Sequence, residues 1–220
     1  MGTNRGRMTH GWLVAGALVM LTSTGARAQV FYSYPGARPV TDQSPSLGLV
    51  AGFGDNLIRL GGFGRFNLSP VADLGIEGIY DNIDTAGSGE DTGFGGAGID
   101  GKYALLSATE ETPVDLSVQV GAGFLAGSDI LQIRVPFGGM ASHDFVVDND
   151  RTIVPFGGVY FVFNYFKVDG LPAGVDDSDT DFDVEMRVGA SAEIIARGSV
   201  FAALHAGDGT MFFIGFNLGL

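Results

Sequence analysis

From residue 45 to residue 220 the chain alternates. Large apolar side chains recur at every second position over stretches of about ten residues, with small or polar residues between them and clusters of Gly, Asp, Asn, Pro and Ser separating the stretches. In FDVEMRVGASAEI, residues Phe182, Val184, Met186, Val188, Ala190, Ala192 and Ile194 fall on one face of an extended chain. Asp183, Glu185, Arg187, Gly189, Ser191 and Glu193 fall on the other. A period of two marks a β-strand with two unlike faces. With the turn-forming clusters as breaks, the pattern predicts ten strands, near 45–54, 57–68, 71–81, 93–106, 114–127, 130–141, 152–168, 182–195, 198–206 and 210–220. No 3.6-residue period is sustained, so the fold class is all-β.

Alternation does not say which face meets a core, since a soluble sheet shows the same pattern with its apolar face inward. Strand length does. Globular strands average about five or six residues, whereas a tilted strand crossing a bilayer needs about nine to eleven. Most of the predicted segments have the longer dimension. Beyond residue 28 no run approaches the roughly 18 apolar residues of a membrane helix.

The two ends of the chain extend this reading. Arg5 and Arg7 precede the apolar run WLVAGALVML (12–21), and Ala26, Arg27 and Ala28 form an A-x-A exit. These are the parts of a secretory signal peptide, and the apolar run is too short to span. The expected organisation is a signal peptide over 1–28, an N-terminal periplasmic lead segment over 29–44 and one β-domain over 45–220. At the other end, TMFFIGFNLGL sets Phe212, Ile214, Phe216, Leu218 and Leu220 on one face. A terminal strand of that kind needs an apolar cover.

Charge and cysteine content narrow the partners. Without Arg5, Arg7 and Arg27, the 12 basic residues become 9 against 25 acidic ones, and the net charge moves from −13 to −16. Such a chain does not seek nucleic acid by charge. It has no cysteine, so an exported domain must be stabilised without disulfides, and no lipoprotein anchor is possible.

The signal peptide, the ten long alternating segments and the ending together resemble the small bacterial outer-membrane β-barrels, the class that includes the outer-membrane protein A, X and W types. The resemblance covers nearly the whole chain. It implies an antiparallel up-and-down transmembrane β-barrel of eight to ten strands, located in the outer membrane as a monomer. Gly215, Leu218 and Leu220 match the spacing of the C-terminal signal that the barrel-assembly machinery reads in this class, with Leu220 where an aromatic residue is common. Lipid and lipopolysaccharide are the implied surroundings. With both termini periplasmic, the acidic spans 82–92 and 169–181 become outer loops, and Tyr80, Tyr103, Phe124, Phe137, Tyr165 and Phe182 are expected near strand ends as interfacial girdles.

Candidate chemistry lies on the inward faces. In the favoured register these carry Arg59, Arg65, Asp73, Glu77, Asp100, Lys102, Gln119, Gln132, Arg134, Asp183, Glu185, Arg187 and Glu193. Arg59, Arg65, Lys102, Arg134 and Arg187 can neutralise Asp73, Glu77, Asp100, Glu185 and Glu193 in a bore that eight to ten strands leave little wider than side chains. Segment PFGGVYFVFNYF is apolar on both faces and leaves its register open. Enzymes of this barrel class rest on His with Ser or Asp. Beyond residue 28 only His143, in a periplasmic turn, and His205, near the outer rim, remain. No catalytic residue, cofactor or metal is expected. Asp177, Asp179 and Asp181 have D-x-D-x-D spacing but lack the Gly and distal Glu of a calcium loop, and GSGEDTGFGGAG lacks the GK[ST] ending of a phosphate loop. Three functions stay open: a closed barrel with a structural or surface-interaction role, a narrow channel for small or apolar solutes, and a soluble lipocalin-like barrel with an internal ligand.

Overall fold

A computed structural model describes residues 36–40, 45–54, 56–84, 91–147, 151–169, 177–207 and 209–220. The expected signal peptide, most of the expected lead segment and residues 85–90 and 170–176 of the expected outer loops lie outside these. Eleven strands occur: β1 (Ser46–Gly54), β2 (Leu57–Ser69), β3 (Ala72–Asp84), β4 (Asp91–Leu106), β5 (Asp115–Ala126), β6 (Ile130–Ser142), β7 (Phe145–Val147), β8 (Arg151–Val168), β9 (Ser178–Ile195), β10 (Gly198–Ala206) and β11 (Thr210–Gly219). Sequential neighbours pair antiparallel except β6 and β7, β6 pairs across to β8, and β1 pairs with β11 from Ser46↔Gly219 to Gly54↔Met211. Ten strands therefore close into an up-and-down barrel, the architecture of transmembrane β-barrels, and β7 is a short appendage on the start of β8. Closure leaves no edge in the wall of the barrel, the condition for burying a sheet in lipid.

The faces explain the alternation. On β1 the residues Leu47, Leu49 and Phe53 are exposed while Ser46, Gly48, Val50 and Gly52 are buried, and on β9 the exposed set is Phe182, Val184, Met186 and Val188. Leu49 is 70% exposed and Arg59 is 0% exposed. An apolar outer wall around a charged interior is inside-out for a protein in water, and matches a wall that meets lipid. Segment PFGGVYFVFNYF resolves the same way: Phe156, Tyr160, Val162 and Asn164 are buried, Val159, Phe161 and Phe163 exposed.

Three expectations change. β9 begins at Ser178, so Asp179 and Asp181 belong to a strand and not to a loop, because their alternation continues that of Asp183 and Glu185. The 142–151 connection is occupied by the β7–β8 hairpin. Phe137 and Phe182 stand on the outer wall with Phe161, ring centroids 5.4 to 6.3 Å apart, and this cluster sits at the middle of β6 and not at its end.

The interior also holds large apolar rings. Phe63 lies over Gly48, Phe213 over Gly52 and Phe201 over Gly215, each leaving no room for a Cβ on the glycine beneath. Gly215 therefore has a packing reason to be glycine, whatever reads it during assembly.

Neighbouring positions on β9 test the faces. Val188→Arg is expected to lower the assembled fraction severalfold, since Arg on a lipid face costs about 2 to 4 kcal/mol at the bilayer midplane. Val188→Leu is expected to be tolerated. Gly189→Ala should fail although it is smaller, because its Cβ would press on the Ala202 carbonyl and the Phe156 ring. Heat-modifiability of membrane extracts on gels measures all three. Equal tolerance of Val188→Arg and Val188→Leu would contradict a lipid-facing Val188.

Candidate functional site: the charged lumen

Inward positions on facing strands bring the ionisable residues together. Across the β2–β3 hairpin Arg59 lies opposite Asp81 in register, and its guanidinium makes a two-point pair with that carboxylate. Arg65, 1% exposed, sits between two carboxylates: Nη2 donates to Asp100 Oδ2 at 2.8 Å, Nη1 to Asp100 Oδ1 at 3.1 Å, and Nε to Asp73 Oδ1 at 3.2 Å. Gly75 faces this pair, and a Cβ there would strike the Arg65 guanidinium.

A second group forms on β6, β8 and β9. Arg134 and Arg187 share Glu185, Arg134 through Nη2 to Oε1 and Arg187 through Nη2 to Oε2 at 3.2 Å. The Arg187 guanidinium lies 4.0 Å above the Tyr160 ring, a cation–π contact that favours Arg over Lys at the position. Tyr160 then links the two groups. Its hydroxyl donates to Gln119 Oε1 at 2.8 Å, and Gln119 Nε2 donates to Asp100 Oδ2 at 2.7 Å. A continuous path of polar contacts therefore runs from Arg134 on β6 through Glu185, Arg187, Tyr160, Gln119 and Asp100 to Arg65 and Asp73 on β2 and β3. Every member is at least nine-tenths buried. Charges so placed remain ionised only when paired and hydrogen-bonded, and a connected network fixes each rotamer by its neighbours.

The remaining candidates lie outside this path. Glu77 is buried on the inner face of β3, and Glu193 lines a cavity at the mouth of the barrel beside Gly36 and Leu220. Lys102 Nζ donates to the Gly36 carbonyl at 2.7 Å, which ties part of the expected lead segment into the lumen. Leu218 and Leu220 are on the outer face, and Gly215 on the inner one. His143 Nδ1 contacts the Pro113 carbonyl, and its ring packs edge-on against Phe145. His205 is a lumen residue and not a rim residue: it is buried on β10, its ring centroid 4.4 Å from that of Phe213. Strand pairing separates the two histidines along the barrel axis. Among the described residues no group of three or more His, Asp or Glu side chains is placed to hold a metal ion.

Sequence reasoning missed Asp81, Tyr160 and the Phe63, Phe201 and Phe213 rings. Asp81 continues the 73, 77 parity of β3, so its inward face was recoverable, but its place opposite Arg59 was not, because a register shift between Asn67 and Ser69 moves the pairing by one residue from that of the 69–72 turn.

No protein-family model matches the chain, and no curated protein does. Several solved structures are similar to it. The beta domain of the Bordetella autotransporter BrkA superposes with a TM-score of 0.54 at 9% identity, over 80% of this chain and 99% of that one. The KdgM porin gives 0.40 at 10% identity over 80% and 99% of the two chains, and LpxR from Salmonella typhimurium 0.42 at 10% over 80% and 100%. At such identities the likeness is one of fold alone.

Proposed function

We propose that this chain is a small outer-membrane β-barrel, of the same general kind as the outer-membrane protein A, X and W types, whose lumen is sealed by its own side chains and whose work is structural or surface interaction. The observation that carries the reading is the polar path from Arg134 to Asp73, which runs inside the barrel from β9 round to β2 on buried, mutually bonded groups. Bulky rings at Phe63, Phe201 and Phe213 fill space beside it. A lipocalin-like protein would have the opposite polarity, since its outer wall meets water. In this reading the outer wall contacts outer-membrane lipid and lipopolysaccharide as a monomer, the assembly machinery recognises Gly215, Leu218 and Leu220, and the lumen binds no cofactor and catalyses no reaction.

Fractionation of producing cells tests the location and fold together. The protein is expected in the outer-membrane fraction, migrating faster on gels before boiling than after. Recovery in the soluble periplasmic fraction would overturn the reading. Deacylation of lipopolysaccharide or phospholipid by the purified protein, lost in His205→Ala, would overturn its non-enzymatic part.

A further inference from the structure

Residues Gly36 to Val40 occupy the periplasmic mouth of the lumen, and the way they are held is unlike strand pairing. Side chains of the barrel bond the backbone of this segment. Lys102 Nζ donates to the Gly36 carbonyl at 2.7 Å, Ser142 Oγ accepts from the Ala37 amide at 2.8 Å, Asp73 Oδ2 accepts from the Val40 amide at 2.8 Å, and Asn67 Nδ2 donates to the Val40 carbonyl. Pro39 has no amide to satisfy. These four side chains come from β2, β3, β4 and β6, so the seat is built by the closed barrel and not by local sequence.

Two features of the segment are read as well. Ala37 is 0% exposed, which fits a small side chain there, and the Arg38 guanidinium bridges Asp144 at 2.8 Å and Asp115 at 3.1 Å. Gly36 has φ +120°, a conformation that an L side chain rarely adopts, although a Cβ would meet only ordinary contacts at 3.8 Å. The requirement at Gly36 is therefore conformational and not spatial. The segment also leaves the mouth part-filled. A cavity of about 430 Å³ remains beside it, within the size range of small-molecule clefts. On its β1, β10 and β11 wall, Ser46 Oγ, Ser199 Oγ and Asn217 Oδ1 are buried without a hydrogen-bond partner among the described residues.

The geometry points to the periplasmic mouth being a peptide-binding site, filled in this structure by the chain's own Gly36–Val40 and able to take in trans an extended peptide carrying glycine, a small residue and arginine in succession. Backbone recognition by Lys102, Ser142, Asp73 and Asn67 supplies contacts that any extended peptide offers. Asp115 and Asp144 select arginine, and the tight place around Ala37 selects a small neighbour. The tethered segment competes at an effective concentration of about millimolar, so the parent chain should hold itself occupied. This inference rests on the barrel fold and not on whether the lumen conducts.

The test uses the full chain in lipid nanodiscs and two readouts. Because the chain has no cysteine, Ala37→Cys places a single thiol whose maleimide labelling reports whether the segment has left its seat. Labelling is expected to be slow in the otherwise parental chain and at least tenfold faster when Gly36→Val and Arg38→Glu are added. Fluorescein-labelled Gly-Ala-Arg-Pro-Val, followed by anisotropy, is then expected to bind saturably to the chain carrying Gly36→Val and Arg38→Glu. Binding should be at least tenfold weaker to the parent, and to the same variant with Lys102→Met and Ser142→Ala added. Fast labelling in the parental background, slow labelling in every variant, or peptide binding that is absent or equal across the three chains would each overturn the inference.

Discussion

A chain lacking Phe216 to Leu220 is expected to be almost absent from the outer membrane, below about a tenth of the parent level. The deletion removes four of the nine pairs in the seam between β1 and β11, Ser46↔Gly219, Leu47↔Leu218, Gly48↔Asn217 and Leu49↔Phe216, and the facing pairs of β10 from Gly198↔Leu218 to Val200↔Phe216. The backbone groups so exposed would lie in hydrocarbon, where each unsatisfied group costs several kcal/mol. Loss of Leu218 and Leu220 removes the proposed assembly signal at the same time. Point changes separate the two causes: Leu220→Ala leaves the seam intact and touches only the signal. Quantitative blotting of membrane fractions after a chase is the measurement. Normal levels of heat-modifiable protein from the truncated chain would contradict a seam that must close.

Arg65→Ala is expected to destabilise the folded barrel by about 3 to 5 kcal/mol, the usual cost of removing one partner from a buried ion pair. Asp73 and Asp100 both lose their guanidinium partner while staying buried, and keep only the neutral donors, the Val40 amide and Gln119 Nε2. The effect should be partly reversed by Asp100→Asn in the same chain, because the residual charge is then halved. Asp100→Asn alone should cost less than Arg65→Ala, since Gln119 and the second carboxylate remain. Urea unfolding in detergent micelles, read by the heat-modifiable band, gives the midpoints. A shift of less than about 1 kcal/mol for Arg65→Ala would show that water reaches this pair freely, as it does in surface pairs.

The fold was legible because the bilayer enforces a rule that sequence carries openly. Every strand must alternate and must be long, so the segment around Val184 and Met186 declares both its period and its outward face. Strand ends were less legible where the pattern ran past the bilayer. Asp179 and Asp181 alternate with Ser178 and Thr180 without large apolar partners, and an exposed strand extension of that composition looks like a loop. The appended β7 has only three residues, too few for a period to appear. Partnership in the lumen was hidden for a different reason. Parity assigns a face to Arg59 or Arg187, but which carboxylate each meets depends on hairpin register and on reach across the bore. Tyr160 reads as an apolar wall residue in VYFVF, yet its hydroxyl joins the two charged groups through Gln119. The Gly36–Val40 segment was invisible for the same cause, since its partners Asp73, Lys102 and Ser142 stand 33 to 105 residues away along the chain.

Removing a single member should loosen the whole path, because its charges hold one another in place. Arg187 is the point at which the two groups meet, through Glu185 on one side and Tyr160 on the other. Conductance of the purified protein in planar lipid bilayers, beside Arg187→Ala, therefore tests the sealed lumen most directly. Small and infrequent openings in the parent, with larger and longer ones in Arg187→Ala, are the predicted result. A steady, large conductance in the parent would contradict the sealed lumen and establish a channel in its place.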